Sequence, residues 1–196
     1  EIGWALGAYP EPGAETDLEP YRTSPLRIRY GKPMGTDPEL LDILSDRFAE
    51  LSGDPGKESL LLIGHGSSEP FFRATWEHEL GWLAERIKER GGYRACATAL
   101  LLPDQAAERL KLLLRERPED KILAMGLFLS EGYFTKSVIP GRLGSLKSED
   151  GADRWVYGGK ALMPHPGVAD WIVRQAREWL ETNGYGQEDN AEALDR

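Results

Sequence analysis

The chain has 196 residues, 40% of them hydrophobic, which allows one ordinary domain with an extension. Its 24 Lys plus Arg against 33 Asp plus Glu give a net charge of -9 with no basic run, which argues against a nucleic-acid partner. A single cysteine, Cys96, excludes a disulfide framework and a cysteine-ligated metal site within one chain, and no apolar run approaches the roughly 20 residues of a membrane span, so a cytoplasmic protein is expected.

Residues 1–56 read as a proline-rich connector with one helix. Pro10, Pro12, Pro20, Pro25 and Pro33 leave room only for a short strand at 26–30. Asp37-Pro38-Glu39 then supplies a helix start, and Leu40, Leu41, Ile43, Leu44, Phe48 and Leu51 follow at helical spacing. The run 60–63, four apolar residues, is long enough for a strand buried on both faces and too short for a helix. After it the pattern predicts helix 74–90, strand 93–101, helix 104–116, strand 121–128, a helix-like turn at 137–144, strand 154–160 and helix 167–182. Strands alternating with helices imply right-handed β-α-β crossovers and a parallel sheet covered on both faces. The segment 57–184 is the expected α/β domain, and 185–196 an acidic, frayed tail. Gly, Ala, Leu and Pro coincide between 3–10 and 159–166, which would make the start of the chain the end of a preceding copy of the unit; with no initiator Met, the chain reads as a piece of something longer.

The first apolar strand runs into Gly64-His65-Gly66-Ser67-Ser68, which places His65 at the carboxyl end of a parallel strand, where α/β sheets bind ligands. The flanking glycines suit a sharp turn whose amides, with the Ser67 and Ser68 hydroxyls, can face an anion. A neutral imidazole there can bind a divalent metal or accept a proton near neutral pH. Phosphoryl transfer would need cations around it, and Gly64 precedes it instead. The loop after the third strand holds Glu131, Gly132, Tyr133, Phe134 and Lys136, a mixture suited to a flat, partly apolar ligand with anionic edges. Of the other histidines, His78 reads as a partly exposed helix residue and His165, between two prolines, as part of a rigid turn.

Three segments in this order, L-L-I-G-H-G-S-S-E-P, G-L-F-L-S-E-G-Y-F-T-K-S-V-I-P and A-L-M-P-H-P, resemble the sirohydrochlorin cobaltochelatase/ferrochelatase family over residues 59 to about 182. The resemblance implies a chelatase-like three-layer α/β unit with a four-stranded parallel sheet in flavodoxin-like order. It also implies pairing, with a second chelatase-like half or as a homodimer. The implied activity is insertion of a divalent metal, cobalt or ferrous iron, into a tetrapyrrole, the metal being substrate and no cofactor permanently bound. His65 matches the family's metal-binding and proton-accepting histidine. Two departures stand beside it: Phe134 occupies the place of a second histidine, and Leu100, Leu101 and Leu102 that of a glutamate. Glu131 is the implied substitute, so His65 and Glu131 are the expected catalytic and metal-contacting pair. Gly66, Ser67, Ser68, Gly132, Tyr133 and Phe134 are expected to line the macrocycle, with Lys136 or Arg73 near its carboxylates. A non-catalytic domain that binds tetrapyrrole or metal, or supports a catalytic partner, is the alternative.

Overall fold

A computed structural model of the chain describes residues 30–144, 146 and 154–182. The elements are α1 (Pro38–Ala49), β1 (Glu58–Gly66), α2 (Pro70–Gly91), β2 (Ala95–Leu102), α3 (Ala106–Glu116), β3 (Lys121–Gly126), α4 (Ile139–Gly144), β4 (Trp155–Gly158) and α5 (Pro166–Thr182). A π-helical turn, Phe134–Val138, runs directly into α4. Except for Tyr30, the expected strand at 26–30 lies outside the described residues, as do the 3–10 copy of the repeated pattern and residues 183–196, which include the expected tail.

The four strands form one parallel sheet in the order β2-β1-β3-β4, the flavodoxin-like arrangement. β1 is central because it is apolar on both faces: Leu60, Leu61, Leu62 and Ile63 are completely buried, each worth about 1.5–3 kcal/mol of transfer free energy. On one face Leu61, Ile63, Ala99, Leu101, Ile122 and Ala124 pack with Leu110 and Leu113 of α3 and Ile139 and Leu143 of α4. The other face carries α2, against which α1 packs, and α1 in turn contacts α5. Gly64 belongs to that second interface, since a Cβ there would stand 3.0 Å from the Trp76 ring and 3.3 Å from Leu80. It serves the close approach of α2 to β1 and not, as expected from sequence, the turn that follows.

Several boundaries differ from expectation for local reasons. α2 begins at Pro70, four residues earlier than predicted, because proline at the first helical position loses no hydrogen bond there. It ends at Gly92, whose φ of 72° supplies a left-handed cap. β3 stops at Gly126, and β4 spans only 155–158. β1 extends through His65 and Gly66, so the histidine sits on the last strand residues and not beyond them. α1, read from sequence as part of a connector, belongs to the unit that begins at Gly35 and contains the sheet. Its Leu40, Ile43, Leu44 and Phe48 are buried core. At the amino-terminal edge of the sheet Asp120, 2% exposed, accepts from Ser59 Oγ at 2.7 Å and pairs with Arg94 at 2.9 Å, so its buried charge has partners.

Candidate functional site

In the order β2-β1-β3-β4 the chain leaves β1 toward one side of the sheet for β2 and returns on the other for β3, so the switch point lies between the carboxyl ends of β1 and β3. His65 and Gly66 are the last residues of β1, and the loop from Leu127 to Tyr133 leaves β3 beside them. Leu127 N–H donates to the Ile63 carbonyl at 2.8 Å, which carries the β1–β3 ladder past the end of β3 and fixes the loop's departure.

His65 is half-buried, and its Nδ1 lies 3.0 Å from the Gly66 carbonyl oxygen. Its ring meets Phe134 edge-to-face, with centroids 4.9 Å apart and planes at 84°. Phe134 in turn stacks on Phe128 at 5.5 Å and 14°, and packs against the core formed with α3 and α4. Tyr133 touches Phe134 at 5.8 Å but leaves 73% of its own surface exposed. The turn that presents these rings is tied by Thr135 Oγ1, 2% exposed, which accepts from Gly132 N–H at 2.9 Å and donates to the Gly132 carbonyl. Lys136 N–H also donates to that carbonyl, at 2.9 Å.

His65 and Phe134 are thus brought into contact. No hydrogen bond joins His65 to Glu131 among the described residues; the Glu131 carboxylate pairs with Lys136 Nζ at 3.1 Å, and both side chains are exposed. No cluster of three or more His, Cys, Asp or Glu suited to a metal ion occurs among the described residues. Gly66 takes φ 77°, and a Cβ on it would meet the Leu102 carbonyl oxygen at 2.4 Å, so the turn expected at the glycines is made by Gly66 alone. Ser67 Oγ accepts from Glu69 N–H at 3.1 Å, which uses that amide to start α2, while Ser68 is exposed. Leu100 and Leu101 are buried and Leu102 is exposed at the end of β2. His78 is exposed on α2. His165 is a turn residue, as expected: its Nδ1 accepts from Gly167 N–H at 3.1 Å at the start of α5, and its Nε2 lies 3.2 Å from Asp46.

Two features of the rim were not read from the sequence. Phe71 and Phe72 open α2 with 78% and 58% of their surfaces exposed, and Leu102, Leu129 and Met163 are likewise exposed at strand ends. Together with Tyr133 they give the carboxyl edge of the sheet an apolar character. An aromatic pair directly after a proline at a strand-to-helix junction was the available signal. The second feature is support from α1. Buried Arg47 donates through Nε to the Ala161 carbonyl at 3.0 Å and through Nη2 to that of Leu162 at 3.4 Å, and through Nη1 to Glu50 at 2.9 Å. Leu162 and Met163 then donate backbone N–H groups to the Phe128 and Leu129 carbonyls, both at 2.9 Å. α1 therefore holds the 161–163 segment, which in turn holds the backbone of Phe128 and Leu129.

A parallel α/β sheet with a histidine at its switch point and an apolar rim has the arrangement in which open α/β sheets bind ligands. The CbiX family model matches residues 59–179, and the chain belongs to that family. It is 32% identical over 160 residues to the sirohydrochlorin ferrochelatase of Priestia megaterium, across 81% of this chain and 58% of that protein. It is also 32% identical over 92 residues to the probable sirohydrochlorin cobaltochelatase of Halobacterium salinarum, across 44% of this chain and 27% of that protein. The chain thus spans less than two thirds of the length of either relative. Among the described residues no helix is long and apolar enough to cross a membrane.

Proposed function

We propose that this chain acts in a chelatase that inserts a divalent metal, cobalt or ferrous iron, into a sirohydrochlorin-type tetrapyrrole, with a second chelatase-like half or a second copy closing the cleft. The observation that carries the reading is His65 at the β1/β3 switch point within a segment that matches the CbiX model. Insertion exchanges a metal ion for two pyrrole protons, so a neutral imidazole at the macrocycle centre can serve first as a metal contact and then as a proton acceptor. The apolar face of the macrocycle would rest on Tyr133, Phe134 and the exposed aromatic start of α2. Its carboxylates would meet the 66–68 turn, with Arg73 and Lys136 as nearby cations. Glu131 contributes to the metal by exchanging its Lys136 partner for the incoming cation. A divalent metal on one imidazole and one carboxylate is weakly held, which suits an ion that must leave for the macrocycle.

The experiment is metal insertion into sirohydrochlorin, followed by the change in the macrocycle's absorption, with wild type against His65→Ala. We expect loss of insertion above the spontaneous rate in the variant. A wild-type protein no faster than the spontaneous reaction overturns the enzymatic reading. The lack of a three-ligand cluster among the described residues favours a second reading, a non-catalytic tetrapyrrole-binding half. Its signature is a shifted absorption band on mixing without insertion.

A further inference from the structure

We propose that Phe134 and the Gly66 carbonyl act together as the positioning device for His65, holding it in the tautomer that keeps the proton on Nδ1 and presents the lone pair at Nε2. A carbonyl oxygen only accepts, so a hydrogen bond at 3.0 Å between it and Nδ1 requires the proton on Nδ1. In a neutral imidazole the other nitrogen is then the acceptor. A solvated histidine prefers the opposite tautomer, with the proton on Nε2, so the site reverses the intrinsic preference.

The carbonyl that does this is itself fixed. Gly66 adopts φ 77° and pairs in register with Leu102, and it is buried where a Cβ would collide with the Leu102 carbonyl and stand 2.9 Å from Leu100 Cβ. Phe134 supplies the second constraint. A hydrogen bond at Nδ1 alone leaves the imidazole free to rock about its χ2 torsion, and an aromatic ring at 4.9 Å and 84° limits that rocking. Phe134 can do so because Phe128 stacks on it at 5.5 Å and the α3/α4 core lies behind it. It has no lone pair, so it contributes geometry to the site and no ligand. Gly126 admits the arrangement, since a Cβ there would meet the Phe128 ring at 3.0 Å.

The functional value of this device rests on the reading of His65 as metal contact and base, because both roles use an unprotonated nitrogen at one defined position. The tautomer does not depend on that reading and is measured without metal. The chain has three histidines, so long-range 1H–15N correlation of the 15N-labelled protein, at a pH where the rings are neutral, resolves them with assignment by His78→Gln and His165→Gln. We expect His65 to show an unprotonated Nε2 and a protonated Nδ1. In Phe134→Leu the proton should redistribute between the two nitrogens, and kcat for insertion should fall on the order of tenfold. Phe134→Tyr, which keeps the ring, should retain the wild-type spectrum. A proton on Nε2 in the wild-type protein overturns the proposal whatever the variants do. A Phe134→Leu protein that keeps the wild-type His65 spectrum overturns the role of Phe134. A wild-type protein with the proposed tautomer and no insertion activity upholds this inference and fails the chelatase reading alone.

Discussion

Gly66→Ala tests whether the strand end beneath His65 is as tightly determined as its geometry indicates. The substitution adds one methyl group at φ 77°, where an L residue costs about 1–2 kcal/mol. The new Cβ would stand 2.4 Å from the Leu102 carbonyl oxygen and 2.9 Å from Leu100 Cβ. Both neighbours lie in the sheet and cannot swing aside, so relief requires β1 and β2 to separate locally, an overpacking cost of about 1–3 kcal/mol. The sum, about 2–5 kcal/mol, corresponds to a fall in Tm of about 4–20 °C for a chain of this size. Gly81→Ala is the matched control. Gly81 lies inside α2 with nothing within 4 Å of where the alanine methyl would stand, and alanine there should stabilise by about 0.5–1 kcal/mol. Thermal unfolding by circular dichroism measures both. A Gly66→Ala protein melting within about 2 °C of wild type, or one that falls no further than Gly81→Ala, would refute the argument that the Gly66 carbonyl is held rigidly.

Two further outcomes follow from the electrostatics. Arg174 on α5 clasps Asp37 at 2.6 Å and Glu39 at 2.5 Å at the start of α1, and its hydrogen bonds hold the Glu39 carboxyl below its usual range. A carboxylate lowered in the folded state adds stability above its unfolded pKa and loses it as pH falls through the folded value. The Tm difference between wild type and Arg174→Met should therefore be widest near neutral pH and close on acidification below the ordinary glutamate range; a difference independent of pH would contradict it. Burial, then the hydrogen bond to Glu85 at 3.2 Å, pushes the Cys96 thiol up to about 12. Iodoacetamide should alkylate Cys96 more slowly in the native than in the urea-unfolded protein, by on the order of tenfold or more, and equal rates would disprove the shift.

Much of the architecture was legible because the signals are local. Four consecutive apolar residues at 60–63 can satisfy burial on both faces only as an interior strand, and helical periodicity between such strands dictates parallel crossovers. The sheet order then follows the flavodoxin-like arrangement that the motifs imply. The placement of His65 on the carboxyl rim was also determined at this level, since strand direction and strand end are both written in the run that precedes it.

Long-range contacts decided the rest. α1 reads as an isolated amphipathic helix after a proline-rich stretch; only the fold shows Arg47 reaching more than a hundred residues along the chain to the Ala161 carbonyl. The two glycines beside His65 look equivalent in sequence, yet Gly64 is required by the Trp76 ring and Gly66 by a left-handed backbone. Glu131 and Phe134 stand three residues apart in one loop. In sequence Glu131 is the expected partner of His65 and Phe134 a macrocycle contact, but the carboxylate turns to Lys136 while the ring packs on the imidazole. Composition and periodicity determined the strands, their direction and the histidine at a strand's carboxyl end, because those depend on which side chains must leave water. Which atoms face that residue depended on backbone torsion and on contacts between segments far apart in the chain, and only the tertiary structure decided it.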